Sequence, residues 1–114
     1  MLSDDVTRLR HMLDAARLAQ SFIEGKTRES LSADFQLALA LQKAIEIIGE
    51  AATQTSNDCR NKIPRIPWLD IIAMRNRLIH GYADINLDIL WKTVIDDLPP
   101  LVSELQRVLE EKGL

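Results

Sequence analysis

Hydrophobic positions in this chain recur three and four residues apart and nowhere alternate with polar ones as in a half-buried strand. Val6, Leu9, Leu13, Ala16 and Phe22 or Ile23 form the stripe of a first helix. Ser3 is a suitable N-cap, Asp4 and Asp5 suit the first turn, and Gly25 supplies the stop. Residues 26–30 are polar and read as a loop. Ser32 then caps a second helix running to about residue 53, with Asp34 in its first turn and Phe35, Leu39, Ile45, Ile48 and Ala52 as the buried stripe. Gly49 inside that helix costs about 1 kcal/mol relative to Ala, so a close approach by another helix is the expected reason for it.

Residues 53–58 break the pattern, and 60–67, with Pro64 and Pro67, read as an irregular connector. A third helix is predicted over 67–80. Pro67 suits its first position, Gly81 its left-handed stop, and Trp68, Ile71, Ile72, Leu78 and Ile79 can face a core. The last helix begins at Asn86 or Asp88, with Leu90, Trp91, Val94, Ile95 and Leu98 on its inner face. Pro99 and Pro100 must interrupt or kink it, after which Leu101, Leu105 and Val108 or Leu109 resume the stripe to Lys112 and Gly113. The economical fold is all-α, an up-and-down four-helix bundle with a kinked last helix.

Composition narrows the function. The chain has 114 residues, enough for one domain with a substantial core, and its 46% hydrophobic and 27% charged residues are those of a soluble globular protein. A net charge of −3 argues against a generic nucleic-acid coat without excluding a local RNA site. Between Cys59 and His80, Arg60, Lys62, Arg65, Arg75 and Arg77 face the single acid Asp70, so the cations of an acidic protein gather there. Cys59 is the only cysteine, allows no intramolecular disulfide and reads as an ordinary small side chain. The acidic N-terminus lacks the basic-then-apolar pattern of a secretory signal, and no apolar run reaches the ~18 residues of a membrane span. A cytoplasmic location without membrane contact is the expectation. His11, in the first helix among Arg8 and Arg10, reads as an exposed polar-face residue.

The third helix holds the candidate chemistry. Asn76 and His80 stand at i and i+4, and Arg77 and His80 at i and i+3, whereas Arg75 and His80 only partly share a face. Tyr82 follows just beyond Gly81. The helix C-terminus favours a charged imidazole at His80. Two His and one Cys without ligand spacing give no zinc site, and neither a phosphate-cradling glycine loop nor a G-x-S-x-G nucleophile is present. The inventory calls for no metal or other cofactor. It suits RNA, whose 2′-OH is itself the nucleophile: the protein need only align it, move protons and offset charge on phosphorus. His80 is the natural proton-transfer group and Arg75 the group to hold the scissile phosphate, leaving a 2′,3′-cyclic phosphate or its hydrolysis product. The same cluster also admits a purely structural reading, with Arg75 and His80 capping carbonyls and pairing with Asp84 or Asp88, and Tyr82 packed in a turn.

At these residues the sequence resembles the HEPN domains, and among them the HepT-like toxins. The shared word is R-x4-H-x-Y, here Arg75, His80 and Tyr82 with Asn76 after the arginine. The stretches A-I-E-I-I-G-E-A from Ala44, I-P-W from Ile66 and D-L-P-P-L from Asp97 are similar too, so the resemblance covers most of the chain as one HEPN-like domain over 1–114. It implies a metal-independent endoribonuclease toxin of a type VII-like toxin–antitoxin pair, acting as a homodimer in which two motifs face one cleft. Arg75 and His80 are then catalytic and Asn76 positions substrate or His80. Arg77, Arg65 and Lys62 are candidate contacts to the RNA backbone. The implied partner is an MntA-like nucleotidyltransferase antitoxin that transfers AMP to Tyr82, adding bulk and negative charge beside the site. The alternative is a non-catalytic helical binding module that partners such a nucleotidyltransferase.

Overall fold

A computed structural model describes residues 2–80 and 86–111, the side chain of His80 excepted. Among them there is no strand, and the helices are α1 (Ser3–Phe22), α2 (Arg28–Ala33), α3 (Phe35–Gln54), α4 (Asn57–Lys62), α5 (Trp68–His80), α6 (Leu87–Lys92) and α7 (Leu98–Glu111), with a π-helical turn, Thr93–Asp97, joining the last two. The long segments are α1, α3, α5 and the run from α6 to α7. Helix α3 is the central element, packed on α1 along one side and on α5 along another, while α7 lies against α1.

Leu9, Met12, Leu13, Ala15, Ala16 and Ala19 of α1 are buried. Three of the six are alanines, and small side chains let α3 come close. Ser3 lies inside the helix rather than at its cap, a position held by Leu2 without a side-chain bond. Asp5 has turned inward instead of solvating the first turn. Its carboxylate accepts from the Ser56 N–H at 2.9 Å and from the Ser56 hydroxyl at 2.7 Å. Burial pushes the Asp5 carboxyl up, but these hydrogen bonds outweigh it and leave the group below its ordinary value. Gly25, expected to stop the helix, has φ +71°, the left-handed conformation that glycine adopts without a Cβ penalty.

The expected loop after Gly25 contains α2, started where the Thr27 N–H donates to Ser30 Oγ at 3.0 Å and pinned by the buried Leu31. The cap of α3 is Asp34, which accepts from the Leu37 N–H at 3.1 Å, and not Ser32. This start fixes the register. Ile45, Ile48 and Ala52 of the expected stripe face the core together with Leu37, Leu41 and Ala44, whereas Phe35 and Leu39, also expected inside, are 70% and 42% exposed.

The connector also holds a helix. Ser56 caps α4 by accepting from the Cys59 N–H at 3.1 Å. Arg60 folds back to donate to the carbonyls of Ala52 (2.8 Å), Thr53 (3.1 Å) and Thr55 (3.1 Å), closing the C-terminus of α3. Ile63, Ile66 and Trp68 are buried, and the Trp68 indole donates to the Ile63 carbonyl at 3.0 Å. Pro67 stands one residue before α5, its carbonyl accepting from the Ile71 N–H at 3.0 Å.

Asn86 caps α6, its side chain accepting from the Ile89 N–H at 3.0 Å. The chain then stays helical through Pro99 and Pro100. The accommodation is made one turn earlier, where the Leu98 N–H reaches back five residues to the Thr93 carbonyl. Both prolines thereby fall in the first turn of α7, where missing N–H groups cost least. The widened turn also rotates the register and leaves Ile95, expected inside, 42% exposed. Gly81 and residues 112–114 lie outside the described residues.

Candidate functional site

Helix α5 packs on α3 so closely that glycine is required where the two meet. A Cβ on Gly49 would overlap Arg75 Cβ and stand 3.4 Å from Arg75 Cα. The expected close approach is therefore real, and its partner is the motif arginine. The root of Arg75 lies over Gly49, and its guanidinium reaches the next residue, Glu50, at 2.6 Å. A second terminal nitrogen donates to Asn76 Oδ1 at 2.7 Å. Glu50 in turn accepts from Gln54 Nε2 at 3.1 Å. Hydrogen bonds from Arg75 first and Gln54 second hold the Glu50 carboxyl below its usual value. Arg75 is thus a largely covered cation in a fixed pose, 25% exposed against 50% for Glu50.

The last turns of α5 receive a further contact from α3. The buried Gln42 donates to the Leu78 carbonyl at 3.4 Å, while its own Oε1 has no hydrogen-bond partner among the described residues. Asn76 and Arg77 are exposed. Arg77 lies about 200° around α5 from Arg75 and points away from α3. His80 is the last residue of α5. Tyr82 and Asp84 lie outside the described residues, and Asp88 is paired with Arg28 at 2.5 Å.

The other basic residues are dispersed. Arg60 is committed to the end of α3, and Lys62 pairs with Asp58 at 3.1 Å one turn back. Arg65 stands at the edge of a cleft of about 340 Å³ between α3, α5 and α7, lined by Ile45, Ile48, Ile71, Met74 and Leu101 among others, with Asp70 and Asp97 at its margin. This cleft is apolar in its walls and lies off the Arg75 face. Among the described residues, no group of three or more His, Cys, Asp or Glu side chains is placed to hold a metal ion, and no helix is long and apolar enough to cross a membrane. His11 is exposed, and Cys59 is buried with its thiol pushed up by burial.

Glu50 is the site residue that the sequence reasoning missed. Its signal was available, because it follows the glycine that marks the close approach and so lies at the crossing point of whichever helix packs there.

The chain matches the family described as "Ribonuclease HepT-like" over residues 12–108. It is 34% identical over 100 residues to a protein of Thermococcus cleftensis named "Probable ribonuclease HepT", covering 88% of this chain and 91% of that one. A candidate RNase of Caldanaerobacter subterraneus subsp. tengcongensis is 31% identical over 104 residues, covering 91% and 93%. A third, from Methanocaldococcus jannaschii, is 44% identical over 69 residues, 60% of this chain and 63% of that one. No solved structure gives a significant match.

Proposed function

The chain belongs to the HepT-like ribonuclease family, and on that premise we propose that it is a metal-independent endoribonuclease toxin, one HEPN-like domain acting on cytoplasmic RNA. The observation that carries this reading is the complete R-x4-H-x-Y word on and just after α5, with its arginine held in one pose by two side chains. Arg75 offsets charge on the scissile phosphate. His80 transfers the proton that lets the 2′-OH attack, and Asn76 orients substrate or the imidazole. Arg77, Arg65 and Lys62 are secondary contacts to RNA backbone. One histidine serves poorly on both sides of a phosphate, so the working form is a homodimer with two motifs across one cleft. Phe35 and Leu39, exposed apolar residues of α3, the helix that carries Glu50, support such a pairing.

Tyr82 is the regulatory acceptor. A nucleotidyltransferase antitoxin transfers AMP from ATP to its hydroxyl with release of pyrophosphate, and the added phosphate brings bulk and negative charge that oppose RNA. The second reading is a binding module for that transferase without catalysis. It is favoured by the Arg75–Glu50 pair, which satisfies the arginine in a purely structural way. The two separate in one assay, cleavage of total RNA and tRNA in EDTA by protein whose Tyr82 mass spectrometry finds unmodified. Cleavage that disappears in both Arg75→Ala and His80→Ala establishes the ribonuclease. Folded, unmodified dimer that cleaves none of a varied RNA set leaves the binding module.

A further inference from the structure

An arginine that must meet a phosphate needs its planar fork aimed before substrate arrives, and a long side chain on the last turns of a helix has many rotamers to choose from. Around Arg75 the choice has been removed. Gly49 admits the base of the side chain against α3, Glu50 takes one N–H at 2.6 Å, and Asn76 takes another at 2.7 Å. Of the five N–H donors of a guanidinium, these bonds use two, one on each terminal nitrogen. Glu50 is itself braced, since Gln54 occupies its other carboxylate oxygen at 3.1 Å.

We propose that Glu50 is a positioning residue for Arg75, its carboxylate fixing the guanidinium so that the remaining N–H groups are presented to the RNA phosphate; this rests on the ribonuclease reading above. The chain Gln54–Glu50–Arg75–Asn76 then acts as a single brace across the crossing of α3 and α5. Because these bonds hold the Glu50 carboxyl below its usual value, it is ionised throughout the neutral range and the brace stays in place there.

The test uses the full chain with Glu50→Ala, Glu50→Gln and Glu50→Asp, measuring thermal melting, the Arg75 Nε–H resonance in nitrogen-15 NMR (assigned by its loss in Arg75→Lys), and kcat and KM for RNA cleavage. Glu50→Ala should melt like the wild type, merge the Arg75 signal with those of solvent-exposed arginines, and lower kcat about tenfold or more with KM within about threefold. Glu50→Gln keeps an acceptor oxygen and should recover part of both signal and kcat, which also covers the case of an Ala variant that fails to fold. Wild-type kcat in Glu50→Ala overturns the inference. So does a kcat that falls only in step with melting temperature and is not recovered by Gln. A wild-type protein that cleaves no RNA overturns the ribonuclease reading instead. In that case the NMR signal alone decides whether the brace exists, and an unchanged Arg75 resonance in Glu50→Ala removes it.

Discussion

Gly49→Ala sets two physical effects of opposite sign against each other at the centre of the site. Helix propensity alone says the substitution stabilises α3 by about 1 kcal/mol. The structure says the new methyl overlaps Arg75 Cβ, with Arg75 Cα 3.4 Å away. These atoms belong to the root of the side chain and to the backbone of α5, so no rotamer change relieves the overlap and α5 itself must move outward. Overpacking of this kind costs about 1–3 kcal/mol, so the net expected loss is near 1 kcal/mol, a fall in Tm of about 4–8 °C by the scaling for small domains. The functional cost is larger. Restoring van der Waals distance moves α5 off α3 by more than ~1 Å and lifts Arg75 from Glu50, and a misplacement of even ~1 Å is worth roughly 100-fold in rate. The assay is differential scanning calorimetry beside RNA cleavage of the same preparation. A variant that melts higher than the wild type, or that melts lower yet cleaves at full rate, refutes the reasoning that the glycine exists to seat Arg75.

Two further predictions concern the scaffold that carries α5. Asp5 has a folded-state pKa below its unfolded value, so its contribution to stability is complete above about pH 4 and is lost as pH falls through the folded value. Asp5→Ala should therefore lower stability at pH 7 by about 1–3 kcal/mol, a gap that urea titrations should find shrinking toward pH 2; a gap independent of pH contradicts the assignment. Arg60→Ala removes the donors that close three carbonyls at the end of α3. It should cost about 1.5–3 kcal/mol with RNA cleavage per folded molecule unchanged, and wild-type urea stability would show that water replaces the guanidinium without loss.

The helices that were easiest to read are those whose burial is one continuous stripe. Periodicity located α1, α3, α5 and the last helical run, Gly25 and Gly49 were read for the reason the structure bears out, and of the two expected starts of the last helix it is Asn86 that caps α6. The short helices α2 and α4 escaped, because six residues hold too little periodicity to register and each is held by the burial of one of its own residues, Leu31 and Cys59, rather than by its propensity. Phe35 and Leu39 show the opposite failure. Apolar residues at helical spacing were assigned to the core, yet a side chain's face depends on which partners surround the helix, and the packing within one chain leaves that face of α3 uncovered.

The sequence by itself determined an all-α chain and placed R-x4-H-x-Y at the end of a helix, since propensity, caps and residue spacing are local properties. Only the tertiary structure decided that Arg75 meets Glu50, 25 positions earlier in the chain, and that Arg60 folds back on the end of α3 while Lys62 pairs with Asp58. The physical reason is that an ion pair between helices depends on how closely and in what register they cross. Here that crossing is fixed by a missing side chain, Gly49, whose partner no pattern along the chain can name.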